Sequence, residues 1–243
     1  MNRRDFIVGG AATLAMAGCA KYPSSSSTSS ASALLVSMTV AGVIDPNSYY
    51  FVVFNTSNDS AGASGPTPVV APPWGNGFVS GAATHFVEYH GNLAADGYEI
   101  YRFVAGTSLQ QYTAVGVPSQ VTTISSTSNT IQFRIPLSVL ATSTILAGAI
   151  TNIQINFLTT DRIPVNPQDT SPKLFDALGN SNYGSGQLND YITISTTTGA
   201  TYNNSYENIE PAGDVQQTNG SGGYSQYNAP NLDITGWSVQ VQT

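Results

Sequence analysis

Across Thr130–Ile135 the chain reads TIQFRI, with Ile131, Phe133 and Ile135 on one side and Gln132 and Arg134 on the other. A repeat of two is that of a half-buried β-strand. Asn152–Leu158, NIQINFL, repeats the pattern with Ile153, Ile155 and Phe157. Leu34–Ile44 is rich in β-branched residues and ends on Asp45-Pro46-Asn47, a turn signal. Tyr49–Phe54, YYFVVF, is apolar on both faces and suits a central strand covered on both sides. Thr84–His90 and Tyr98–Val104 read as hairpin partners around the turn residues Asp96-Gly97. Tyr112–Val117, Tyr191–Ser195 and Trp237–Val241 bring the expectation to about nine to eleven strands. Only Pro136–Ile150 has room for a helical turn.

Short strands at this spacing predict an all-β fold: a single antiparallel β-sandwich with jelly-roll or immunoglobulin-like layers, a closed barrel being the alternative. Two connections are long, Asn55–Gly81 and Thr197–Asn231. Long connections without structure of their own are usually functional or disordered. No internal repeat and no second linker divides residues 34–243, so they are expected to form one domain.

The first 33 residues follow other rules. Arg3-Arg4 with Phe6 precede a short Gly/Ala-rich apolar stretch, Ile7–Ala17, too short for the ~20 residues that span a bilayer. This start resembles a twin-arginine export signal, an address read by a receptor. Met16-Ala17-Gly18-Cys19 resembles the bacterial lipobox, with Met16 where Leu is usual. The resemblance implies cleavage after residue 18 and acylation of Cys19, the one cysteine in the sequence. Two acyl chains suffice for stable anchoring in a bilayer. With no second thiol, no disulfide can form within the chain. The serines of KYPSSSSTSSASA, residues 21–33, then form a disordered tether within residues 19–33. The expected location is the bacterial cell envelope, exported and membrane-anchored, facing the periplasm or the cell surface.

Charge narrows the partners. Only 9% of residues are charged and the net charge is −7. Without a basic patch, nucleic acid is a poor partner. There is no Gly-x-Ser-x-Gly elbow and no thiol left for nucleophilic catalysis once Cys19 is acylated. Asn219–Gly223, NGSGG, lacks the Lys and helix of a phosphate loop. The two histidines, His85 and His90, lie five apart, so on one strand they face opposite ways and form no two-His metal site.

YYFVVFN, then a polar Asp/Gly/Pro loop, Trp74–Gly77, QFRIPLSVL, NIQINFLTTD and Phe175–Gly179 follow one another in an order that resembles a β-sandwich superfamily. That superfamily includes carbohydrate-binding-module family nine and DOMON domains. The resemblance implies binding of sugars, or of haem in some DOMON members, where Met38 with a histidine would supply the axial pair.

The residues themselves point to flat rings set among amides: Trp74, Tyr202, Tyr206, Tyr224 and Tyr227 with Asn203, Asn204 and Asn228. Such a mixture suits sugar C–H faces and hydroxyls, and equally protein recognition, while rings closing the ends of the sandwich would look the same. Loop carboxylates and amides Asp45, Asn47, Asp59, Asp161, Asp169 and Asp176 make a pool that suits calcium, without the spacing of a known loop motif. Glu88 and Glu99 are expected to meet across the hairpin, and the same residues read as solvent-facing alternates or as a hydrolase pair. The expected function is a non-catalytic binding module for a glycan or cell-surface ligand. The alternatives are an interaction subunit of an envelope complex and a glycoside hydrolase.

Overall fold

The computed structural model describes residues 32–179, 191–205, 210–218 and 223–243. Arg3, Arg4, Phe6, Cys19 and Tyr206 lie outside the described residues, as does nearly all of the expected tether. Strand β1 (Ala33–Val40) begins one residue before the expected domain boundary, with Ala33 already buried.

The nine strands expected from the sequence all form. They are β1, β2 (Tyr49–Asn55), β5 (His85–Tyr89), β6 (Tyr98–Phe103), β7 (Tyr112–Gly116), β8 (Thr130–Pro136), β9 (Asn152–Thr160), β11 (Ile192–Ser195) and β15 (Ile234–Gln242). Fifteen strands are present rather than nine to eleven. The additional ones are β3 (Pro66–Pro68), β4 (Val79–Gly81), β10 (Leu174–Ala177), β12 (Thr201–Asn203), β13 (Gln216–Thr218) and β14 (Tyr224–Gln226). Five of these have three residues, too few to show a period, and the four of β10, LFDA, do not alternate, so only their tertiary neighbours define them. In Pro136–Ile150, Ala147–Ala149 forms one 3-10 turn. In the short helical turn Ala94–Gly97, Ala95 and Asp96 take left-handed φ of 53° and 59°.

Two antiparallel sheets stack. The smaller has the order β12-β15-β1-β8; the larger, of nine strands, runs β14-β13-β10-β9-β2-β5-β6-β7. Strand β11 shares the edge of β9 with β10: Asn152–Ile155 pair with β11 and Leu158–Thr160 with β10. A separate ribbon joins β3 to β4.

Between the sheets lies an aliphatic and aromatic core, including Leu34, Val36, Met38, Val52, Phe54, Ile131, Phe133, Ile153, Ile155, Phe157, Trp237 and Val239. These are the positions that alternation turns inward. A second apolar cluster covers the opposite face of the larger sheet, with Phe51, Val53, Phe78, Val79, Phe86, Phe103 and Leu158. Phe51, Phe86 and Phe103 come from the strands; Phe78 and Val79 come from the Asn55–Gly81 connection folded over them.

Buried polar groups hold that connection down. Gln154 and Asn156, the outward positions of β9, are fully buried. Gln154 Oε1 accepts from Asn55 Nδ2 at 3.1 Å and Ser57 Oγ at 2.7 Å, and its Nε2 donates to the Asp59 carbonyl at 2.7 Å. Asn156 Nδ2 donates to the Pro66 carbonyl at 2.9 Å. The fully buried Lys173 ammonium donates to the carbonyls of Val69 at 2.9 Å and Gly77 at 2.7 Å. Its head lies 5.7 Å from the Trp74 ring centre, within cation–π range. Gly77 sits at φ 88°, and a Cβ there would stand 2.6 Å from Ile163, so the loop needs glycine at this point.

Candidate functional site

On β2 the residues Tyr49, Phe51 and Val53 face away from the sandwich core, because Tyr50, Val52 and Phe54 face into it. The pairing Glu88↔Glu99 and Phe86↔Tyr101 puts four side chains of β5 and β6 on that same outer face. Phe103↔Tyr112 extends it to β7. The overlying connection covers Phe51 and Phe86, leaving Tyr49, Glu99 and Tyr101 half-buried and Tyr112 38% exposed.

The rings are packed against one another. Phe86 and Tyr101 stack at 4.7 Å, and Tyr112 meets Phe86 edge-on at 5.1 Å and Tyr101 at 5.4 Å. Tyr49 stacks on His90 at 4.2 Å with an interplanar angle of 8°. Stacked and T-shaped pairs fix ring orientation as well as burying area.

Two carboxylates sit among these rings. Directly opposite residues on antiparallel strands have Cβ atoms ~5 Å apart, so Glu88 and Glu99 face each other across the β5–β6 pair. Burial, and then the Glu99 charge, raise the Glu88 pKa to about 7. The Tyr101 hydroxyl donates to Glu99 Oε2 at 3.3 Å. Burial, then Glu88 and Glu99, push the Tyr101 phenol above its usual range, so it stays a donor at neutral pH. The arrangement offers ring faces at the rim and hydroxyl-accepting carboxylates beside them.

The two histidines part as their spacing requires. His90 lies on the ring-bearing face. His85 faces the other way, fully buried, and lines an open cavity of about 710 Å³ with Asn55, Thr56, Thr84, Arg102 and Thr142. Burial, then the Arg102 charge, lowers the His85 pKa to about 4, so its ring is neutral. The Thr84 hydroxyl donates to the Phe54 carbonyl at 3.2 Å, so the contact at 3.1 Å to His85 Nδ1 is donated by the ring. Met38 is fully buried in the core between the sheets.

The aromatic and amide residues expected in the loops divide between separate places. Trp74 is buried: its Nε1 donates to the Asp169 carbonyl at 2.7 Å and Lys173 lies over its ring, so it anchors the covering connection. Tyr202 is buried on β12, at the edge of the smaller sheet, and its hydroxyl accepts from the Ser195 N–H. Asn203 closes a local turn onto Ser205. Asn204 joins β12 to β15 through the Thr235 carbonyl and the Trp237 N–H. Tyr224 lies on β14, at the edge of the larger sheet, while Tyr227 and Asn228 are exposed just beyond it. A pattern of residue types cannot separate a ring that closes a core from one left at a surface.

The acidic pool also disperses. Asp45 accepts from the Asn47 N–H, Asp59 from the N–H groups of Ala61 and Ala63, and Asp161 from the Leu174 N–H. Asp169 pairs with Arg162. Asp176 alone of that pool enters a group of carboxylates, with Asp214 and Asp233. The ring-bearing face was legible only in part, through the Glu88–Glu99 hairpin. Tyr49, Tyr101 and Tyr112 sit on strands, and only register shows that they share a face. No protein-family model matches this chain, and neither a curated protein nor a solved structure does.

Proposed function

We propose that this protein is an envelope lipoprotein, tethered through acylated Cys19, whose β-sandwich binds a glycan on the outer face of strands β2, β5, β6 and β7. One observation carries the reading: Glu88 and Glu99 lie opposite each other, flanked by the part-exposed rings of Tyr49, Tyr101 and Tyr112. Rings take the C–H faces of a sugar, and carboxyl groups hydrogen-bond its hydroxyls. Packing holds the rings in place before a ligand arrives, which cuts the ordering cost of binding.

The full-length protein in nonionic detergent is expected to be retained on at least one polysaccharide of a panel. The double variant Tyr101→Ala/Tyr112→Ala should lower that retention at least tenfold while the fold persists by circular dichroism. Absence of retention on every polysaccharide, or retention that the double variant leaves unchanged, refutes the glycan reading. The tether is tested separately: Cys19→Ala should move the protein from membranes to the soluble fraction, and a variant that stays with membranes refutes the anchor. A hydrolase is the second reading, favoured by the shared charge of Glu88 and Glu99. It requires turnover of the retained glycan that Glu88→Gln abolishes.

A further inference from the structure

At the end of the sandwich where β10, β13 and β15 converge, four acidic side chains are buried together. Asp176 belongs to β10, Asp214 precedes β13, Asp233 immediately precedes β15, and Glu210 sits upstream of Asp214. One oxygen from each of Asp176, Asp214 and Asp233 lies within 4.8 Å of the others. Oxygens bound to one calcium ion at ~2.3–2.6 Å stand at most about 5 Å apart. The three carboxylates are therefore spaced as ligands of a single ion.

Backbone donors hold this arrangement. Asp176 Oδ1 accepts from the Ala177 N–H at 2.8 Å and its Oδ2 from the Ile234 N–H at 2.7 Å. Both oxygens of Asp233 accept from the Gly213 N–H at 2.9 Å. A carboxylate oxygen that accepts one hydrogen bond has a second lone pair that suits a cation.

Glu210 supplies the independent observation. Its Oε2 accepts from the Gly179 N–H at 2.8 Å, which fixes the carboxyl. Its Oε1 is buried with no hydrogen-bond partner among the described residues, and the residue is 7% exposed. Burial, and then the charges of Asp176, Asp214 and Asp233, push its pKa upward. A buried acceptor without a donor costs stability unless something positive meets it. A polar cavity of about 320 Å³, lined by Gly213, Asp214, Gln216, Tyr224 and Gln226, opens beside the cluster. It reaches the cluster at Asp214 and has room for the water ligands that calcium keeps.

From this geometry we infer that Asp176, Asp214, Asp233 and Glu210 form a calcium site that joins the two sheets. The donors are all hard oxygens, which excludes the sulfur and imidazole sets of zinc. They come from three separate segments, which suits the variable geometry of calcium better than the strict octahedron of magnesium. Strand β10 belongs to the larger sheet and β15 to the smaller, so one ion bridges both layers. The site is separate from the ring-bearing face and does not depend on the glycan reading.

The test uses the full-length protein in nonionic detergent, stripped with EDTA, and calcium chloride alone as the probe. Calcium is expected to give a saturable binding heat and to raise Tm by roughly 5 °C or more at concentrations well above Kd. Magnesium at equal concentration should give a smaller rise. Glu210→Gln keeps an oxygen for the Gly179 N–H and should weaken calcium binding at least tenfold. Asp214→Asn should raise Tm in EDTA, by relieving like-charge crowding, and should lose the calcium-induced rise. Absence of both heat and Tm shift in the wild type overturns the inference, as does calcium affinity unchanged in Glu210→Gln.

Discussion

The outer faces of the two sheets are built from opposite materials. On the smaller sheet, outward positions carry hydroxyls and long polar chains: Ser37 meets Ser238 at 2.8 Å, Thr39 meets Thr130 at 2.8 Å, and Arg134 Nε donates to Gln242 at 2.8 Å. On the larger sheet the same alternation presents Phe51, Phe86, Tyr101 and Tyr112, with Glu88 buried among them. Half-buried strands and fully covered strands share one period, and what lies above the outward residues makes the difference. The smaller sheet meets water, whereas the larger is roofed over its centre by Asn55–Gly81 and open toward β7. A face that is both aromatic and incompletely roofed can meet a ligand; a face of paired hydroxyls is already satisfied.

The contrast can be broken most strongly at Phe86. It is fully buried and touches the rings of Phe51, Phe78, Tyr101, Phe103 and Tyr112, so Phe86→Ala should cost ~3–5 kcal/mol in urea unfolding. Lys173→Met removes the donor from two buried carbonyls of the roof, with an expected cost of about 2–4 kcal/mol. Hydrogen exchange should then rise first in residues 66–81, because that segment loses its clamp.

Glu88 sharpens the contrast through pH. Its folded pKa is raised from 4.5 to about 7, so between these values the folded state holds a proton that the unfolded state has lost. Stability contributed by this group is therefore present below pH 4.5 and is lost as pH rises through 7. Glu88→Gln should match the wild type near pH 4 and exceed it by about 2–3 kcal/mol near pH 8, read from unfolding curves across pH. An equal gap at both pH values would show that the group does not titrate in this window. The smallest effect belongs to the smaller sheet, where Ser37→Ala removes one part-buried hydroxyl contact and should cost about 1 kcal/mol or less.

These expectations separate what patterning conveys from what it hides. Strands β8 and β9 were readable because Ile131, Phe133 and Ile135, and Ile153, Ile155 and Phe157, repeat every second residue. The same rule misleads for Gln154 and Asn156. Their polarity suggests solvent, yet they are fully buried because backbone carbonyls of the covering connection need donors. Trp74 looks like a ligand-binding loop residue and is a buried anchor, since its neighbour Lys173 is 99 residues away along the chain. Glu88 and Glu99 were findable because a hairpin is local. The cluster of Asp176, Asp214 and Asp233 was not, because its members come from three segments.

By itself the sequence determined the class of fold, nine of the strands and, for β8 and β9, which face turns inward, because side-chain alternation is a local property of the pleated backbone. Tertiary structure alone decided which outward residues are covered, which rings share a surface and which acids meet. Those depend on contacts between segments far apart in the chain, and no local period encodes them.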